Sequence, residues 1–114
     1  MPPDWLGAPG RAMFWNAYQA SVARGDWDPG FRSILGTLAG AAGGYVASVR
    51  EMAELAPGVA RSELVAEVGE QRRAVRGLMA EFLLIEASAI DGGGVRADGL
   101  DADIAALCDV PAVQ

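Results

Sequence analysis

From Phe31 to Ala56 the apolar residues Phe31, Leu35, Leu38, Ala42, Tyr45, Val49, Met52 and Ala56 follow one another in alternating steps of four and three. That spacing keeps one face of an α-helix apolar for about seven turns. A second run, Leu64, Val68, Gln71, Val75, Leu78, Phe82, Ile85 and Ala89, repeats the rhythm with only Gln71 polar. Pro57 and Gly58 separate the two, and neither residue favours continuing a helix. Two rods, each with a greasy stripe and joined by a short turn, bury those stripes best as an antiparallel hairpin. Any fold of this chain must satisfy that pair first.

Local signals set the limits of the elements. Asp28 offers a carboxylate to free backbone amides and Pro29 a preset dihedral where no donor is needed, which starts the first long helix at Asp28 and carries it to about Ala56. Ser62 is the expected cap of the second, which reaches about Ile90. Ahead of them, residues 1–8 read as an irregular leader because of Pro2, Pro3 and Gly7, with Trp5 and Leu6 as anchors. A shorter helix spans about Pro9 to Arg24, with Trp15, Tyr18 and Val22 on its apolar face and Gly25 as its stop. Gly92, Gly93 and Gly94 release the chain into a short amphipathic segment. The expected fold is all-α: a long antiparallel helical hairpin, a shorter N-terminal helix and a short amphipathic C-terminal segment, with no strands. Residues 1–91 form a helical oligomerisation core and residues 92–114 a glycine linker with an acidic amphipathic tail.

Gly36, Gly40, Gly43 and Gly44 fall inside the first long helix, each costing about 1 kcal/mol against alanine. They share a face, so the compensation expected is a groove where another helix backbone approaches closely; a kink is the other reading.

The residue inventory excludes most chemistry. With no His and no Lys, the chain builds no Ser-His or Cys-His nucleophile, no histidine metal site, no phosphate-loop lysine and no Schiff base. Gly92–Gly94 lack the preceding strand and following Gly-Lys-Ser/Thr of a phosphate loop, and Glu63, Glu67 and Glu70 read as a solvated helix face. A lone Cys108 permits no intrachain disulfide and reads as a small buried apolar residue. The expectation is a binding protein rather than an enzyme, with no cofactor and no metal. At 114 residues the chain is one domain, and no apolar stretch is long and uncharged enough to span a bilayer, so a soluble, cytoplasmic protein is expected.

Net charge is −6, opposite to that of a protein that grips nucleic acid with its whole surface. DNA contact, if made, is local. Arg72, Arg73 and Arg76 form the densest basic cluster, and Arg11, Arg24 and Arg32 bracket the first helix as a more scattered second set. For the cluster, pairing with local acids such as Glu70 is the competing reading. From Asp91 onward five acids accompany one arginine. A single hairpin carries more apolar stripe than its own seam uses, which assigns Phe31, Leu35, Leu38, Tyr45, Val49, Leu78 and Phe82 to contacts between copies. For the tail, Leu100, Asp101, Asp103, Ile104 and Leu107 either dock on a partner or fold back on the hairpin.

The order of these features resembles the small subunit of phage terminase, the DNA-recognition component of packaging machines in tailed phages and gene transfer agents. Pro2-Pro3-Asp4-Trp5-Leu6 is similar to that family's Pro-x-x-Trp-Leu opening, and Gly10 to Trp15 fall where it has a short helix with a central Trp. The long Ala- and Leu-rich helix with an internal Tyr, here Tyr45, follows, and Arg73 to Phe82 resemble the family's Leu-Arg-x-Leu-x-x-Glu-Phe. The resemblance covers residues 2 to 91. The family's Gly-Leu-Thr-Pro-x-Ser-Arg ending falls on Leu83-Leu84-Ile85-Glu86-Ala87-Ser88-Ala89, and the family's basic Gly-Arg-Pro-Lys leader does not precede Pro2. The resemblance implies a homo-oligomeric ring that binds double-stranded DNA and delivers it to a large terminase subunit with ATPase and nuclease activity. The acidic balance makes weak, sequence-independent DNA binding the expectation. The alternative is a helical scaffold or regulatory subunit that binds protein only.

Overall fold

The computed structural model describes residues 2–109; Met1 and residues 110–114, the extremes of the two expected segments, lie outside it. Among the described residues the fold is all-α, built from α1 (Ala8–Arg24), α2 (Arg32–Glu54), α3 (Val59–Glu81) and α4 (Ala102–Cys108). Short 3-10 turns at Pro29–Phe31 and Ala87–Ala89 flank the hairpin formed by α2 and α3. The one β-type pairing among the described residues is an isolated bridge between Val95 and Asp101.

Asp28 does cap, its side chain accepting from the Gly30 amide, but the turn it starts is a tight 3-10 turn over Pro29–Phe31 that leads into α2 at Arg32. The second long helix departs from expectation at both ends. It begins at Val59, with Gly58 as its cap and no side-chain hydrogen bond, so Ser62 lies inside the first turn, its amide bonded to the Gly58 carbonyl. It stops at Glu81 rather than near Ile90, because Leu83 turns into the left-handed region (φ 59°) and the chain bends back. Ile85 and Ala89 therefore continue the sequence rhythm without continuing the helix.

α2 is the central element. Leu35, Leu38, Ala39, Ala42, Tyr45, Val46 and Val49 are all buried, and three partners share in covering them: α3, α1, and the segment leading into α4. α1 uses a different face from the one its aromatic spacing suggests. It buries Gly10, Met13, Phe14, Ala17 and Ser21, leaving Trp15 and Val22 partly exposed. The reason is proximity. A methyl group on Gly10 would sit 2.9 Å from the Ala39 carbonyl oxygen, and one on Gly43 would lie 3.5 Å from the Gly10 nitrogen. The close backbone approach expected at the α2 glycines comes from the same chain and only at Gly43, which meets Gly10 of α1; Gly36 and Gly40 face Trp5 of the leader, and Gly44 meets nothing within 4 Å. Only small residues permit that crossing distance at Gly10; of α1's rings, Phe14 stays in the core while Trp15 is turned outward.

The C-terminal segment is part of the same core. Leu100, Ile104 and Ala105 are buried in one cluster with Leu35, Tyr45 and Val75, so the division at residues 91 and 92 is not a structural boundary. Of the two readings of the tail, folding back is the one the described residues adopt. α4 lies against α1, where Asn16 Nδ2 donates to the carbonyls of Leu107 (2.8 Å) and Asp109 (3.1 Å). No described helix is long and apolar enough to cross a membrane.

Candidate functional site

The expected basic cluster on α3 resolves into an internal clasp. Arg76 is fully buried, and so is Asp101; Arg76 Nη1 donates to Asp101 Oδ1 at 2.8 Å and Oδ2 at 3.0 Å. The same nitrogen reaches Asp103 at 3.0 Å, while Nε and Nη2 donate to the Ala89 carbonyl at 3.0 and 2.6 Å. Arg72 approaches from one turn earlier, with Nε 2.7 Å from Asp101 Oδ2 and Nη2 on the Gly92 carbonyl. Asp101 also caps α4, accepting from the amides of Asp103 and Ile104, and its own amide donates to Tyr45 Oη at 3.1 Å. A buried guanidinium is tolerated only when its donors are filled, and here carboxylates and carbonyls fill them.

Gly93 makes the clasp possible. Its φ is 102°, and a Cβ there would stand 2.7 Å from Arg76 Nη1. The glycines after residue 91 therefore pack over a guanidinium rather than act as a loose linker.

These contacts correct several expectations. Arg76 is closed off from any phosphate, and Arg72 is largely spent on Asp101 and Gly92; both had counted as DNA contacts. Arg73 remains on the surface, paired loosely with Asp91 at 3.1 Å rather than with Glu70. Arg24 pairs with Asp26 at 2.9 Å and donates to the Phe82 carbonyl at 2.8 Å, tying the end of α1 to the end of α3. Hydrogen bonds from Arg24 and then Ser21 hold the Asp26 carboxyl below its usual range. Arg32 lies over the Phe14 ring at 5.7 Å. Arg11 and Arg50 are exposed, and together with Arg32 and Arg61 they make no ion pair among the described residues.

The residues assigned to contacts between copies divide in a similar way. Leu35, Leu38, Tyr45 and Val49 are enclosed within one chain, and Phe82 nearly so, which removes them as an interface in this fold. The surplus stripe is real, but α1 and the C-terminal segment cover it. Phe31 remains partly exposed and Leu78 half-buried. In the tail, Asp101 and Ile104 are fully buried and Leu100 nearly so, while Asp103 and the half-buried Leu107 keep some surface.

A cavity of about 370 Å³ lies between the leader and α2 and is lined by Trp5, Gly10, Gly40, Gly44 and Arg50, among others. Trp5 rests against Gly36 and Gly40 while staying 68% exposed. Of the two anchors expected in the leader, Leu6 is buried and Trp5 is not. Cys108 is half-buried, and burial followed by the charge of Asp109 pushes its thiol up to about 12, away from the thiolate form a nucleophile needs. Among the described residues, no group of three or more Cys, Asp or Glu is placed to hold a metal ion.

No protein-family model, curated protein or solved structure matches the chain. Among the described residues, the surface outside the clasp carries scattered arginines, exposed carboxylates and several uncovered apolar side chains.

Proposed function

We propose that this chain is a non-catalytic assembly subunit of the small-terminase kind, which associates with copies of itself, contacts double-stranded DNA weakly and without sequence preference, and recruits a large ATPase and nuclease subunit in the cytoplasm of a bacterial host. The observation that carries the reading is the backbone just after α3. In the family's Gly-Leu-Thr-Pro-x-Ser-Arg ending, the glycine falls on Leu83 and the proline on Glu86. Leu83 has φ 59°, the left-handed conformation glycine adopts freely and other L-residues adopt at a cost of about 1–2 kcal/mol. Glu86 has φ −76° and ψ 149°, within proline's range. Both conformations that the motif's special residues favour occur at the two positions where this chain carries neither residue.

Weak DNA binding follows from the arginine inventory. With Arg76 and Arg72 held in the clasp, Arg11, Arg32, Arg50, Arg61 and the loosely paired Arg73 remain for phosphate, against a net charge of −6. Gel shifts with duplex DNA over a salt series test this: a shallow number of released counterions and loss of binding by physiological salt are expected. Tight, sequence-selective binding would overturn it. Light scattering tests assembly, and a strictly monomeric mass at micromolar concentration would rule against the ring.

One observation favours a second reading, a scaffold that binds protein only: two of the three arginines of the densest basic cluster, Arg72 and Arg76, are consumed inside the fold. Absence of any gel shift at low salt, with assembly intact, would select it.

A further inference from the structure

Gly40, Gly43, Gly44 and Ala47 share one face of α2 and carry nothing larger than a methyl group. They floor the cavity of about 370 Å³, which has Trp5 of the leader as a wall and Arg50 at its far end. From Gly40 to Arg50 the helix rises about 15 Å, the span of four or five extended residues. The cavity is therefore a trough as long as a short peptide.

Trp5 lies across the glycines, so that a methyl group on Gly40 would stand 3.1 Å from its ring. The indole is nonetheless 68% exposed, an apolar surface that nothing within the subunit covers. Tryptophan and arginine are the side chains that most often carry binding energy once a partner encloses them.

The charge of the trough is opposite to that of the molecule. Net charge is −6, yet no acidic residue lines this space. Arg50 is exposed and makes no ion pair among the described residues. The start of α1 borders the same space through Gly7 and Gly10, with no side-chain cap and no acid in its first turn, which adds partial positive charge.

We propose that this trough is a docking site for an extended peptide segment of a partner protein, in which a bulky apolar side chain packs between Trp5 and the glycine floor and a neighbouring carboxylate pairs with Arg50. The floor and wall select the apolar group, and the unpaired guanidinium selects the anion. The length of the trough brings both within reach of one short segment. This site goes beyond the packaging reading, since it requires neither self-assembly nor DNA.

Two tetrapeptides titrated into the isotope-labelled full chain test it by NMR: acetyl-Ala-Leu-Asp-Ala-amide and its counterpart with Asn in place of Asp. The Asp peptide is expected to shift the Trp5 indole N–H and the Gly44 amide saturably, and to bind about fivefold more tightly than the Asn peptide. Arg50→Gln should remove that difference and leave the affinity of the Asn peptide unchanged. Gly44→Leu, at a position that meets nothing within 4 Å, should fill the trough and abolish binding of both peptides while the melting temperature does not fall. Absence of a saturable shift, equal affinity of the two peptides, or a difference that survives Arg50→Gln overturns the proposal. Binding seen only when the chain is ended after Asp109 also overturns it, by giving the trough to the chain's own last residues. A shift of the same two resonances on dilution alone does so as well, by giving the trough to a second copy.

Discussion

Arg76 on α3 and Asp101 at the start of α4 lie 25 positions apart in the chain and share two hydrogen bonds, at 2.8 and 3.0 Å, with neither side chain exposed to solvent. Through that pair the C-terminal segment becomes part of the core, and with it go the burial of Leu100 and Ile104 and the loss of the expected basic patch. A buried ion pair contributes little net stability against a well-packed apolar replacement, but removing one partner strands the other.

Asp101→Asn is therefore expected to destabilise the fold by about 3 kcal/mol, by leaving the half-exposed Asp103 as the sole counter-charge of a buried guanidinium. Arg76→Met should cost a similar amount alone. The two together should cost clearly less than their sum, since each single change already breaks the same interaction. Urea denaturation of the three variants measures this, and additive losses would mean that the pair is not coupled.

The glycines of the α1–α2 crossing should separate by position. Gly10→Ala sets a methyl 2.9 Å from the Ala39 carbonyl oxygen, a rigid backbone atom, and should cost about 1–3 kcal/mol. Gly44→Ala meets nothing within 4 Å and should stabilise α2 by up to about 1 kcal/mol through helix propensity. Thermal unfolding of both variants reads the difference in sign.

At the end of α3, Leu83→Gly should leave stability unchanged or raise it by about 1 kcal/mol as the left-handed strain is relieved. Glu86→Pro, at a residue already near proline's φ, should stabilise by roughly 0.4–1 kcal/mol by restricting the unfolded chain. A loss of more than that amount in denaturant titration, for either variant, would mean that the backbone there differs from this one.

Alkaline pH should weaken the fold. Burial raises the Cys108 thiol from its ordinary 9.0 to about 12 and raises the Tyr45 hydroxyl above its ordinary 10.0. Both groups hold their protons more firmly folded than unfolded. Their contribution is complete below the unfolded values and is lost as pH rises through about 9 and beyond. Melting temperature should fall from that point, and Cys108→Ala should flatten part of the decline. For the same reason iodoacetamide at pH 8 should label native Cys108 roughly a thousandfold more slowly than the urea-unfolded chain.

Much of the hairpin was legible from residue spacing alone. Phe31 to Met52 and Leu64 to Leu78 are placed by their periodicity, and Pro57-Gly58 by backbone chemistry, because these are local causes acting on neighbouring residues. The ends were harder. Ile85 and Ala89 keep the rhythm of α3, yet Leu83 ends the helix, and no propensity rule assigns a left-handed turn to leucine. On α1 the aromatic residues suggested one face, whereas the approach of Gly10 to Ala39 and Gly43 selected another.

The sequence by itself determined that this chain is helical, that two long rods pair, and that histidine- and lysine-dependent chemistry is absent, since these follow from residue type and from repeats within a few turns. Only the tertiary structure decided which charges are available. Arg72, Arg73 and Arg76 look equivalent in the chain, and their roles diverge because Asp101, Gly92 and Asp91 return from far along the sequence to meet them. A local pattern sets the face on which a side chain emerges, but the availability of its charge depends on what another part of the chain brings to that face.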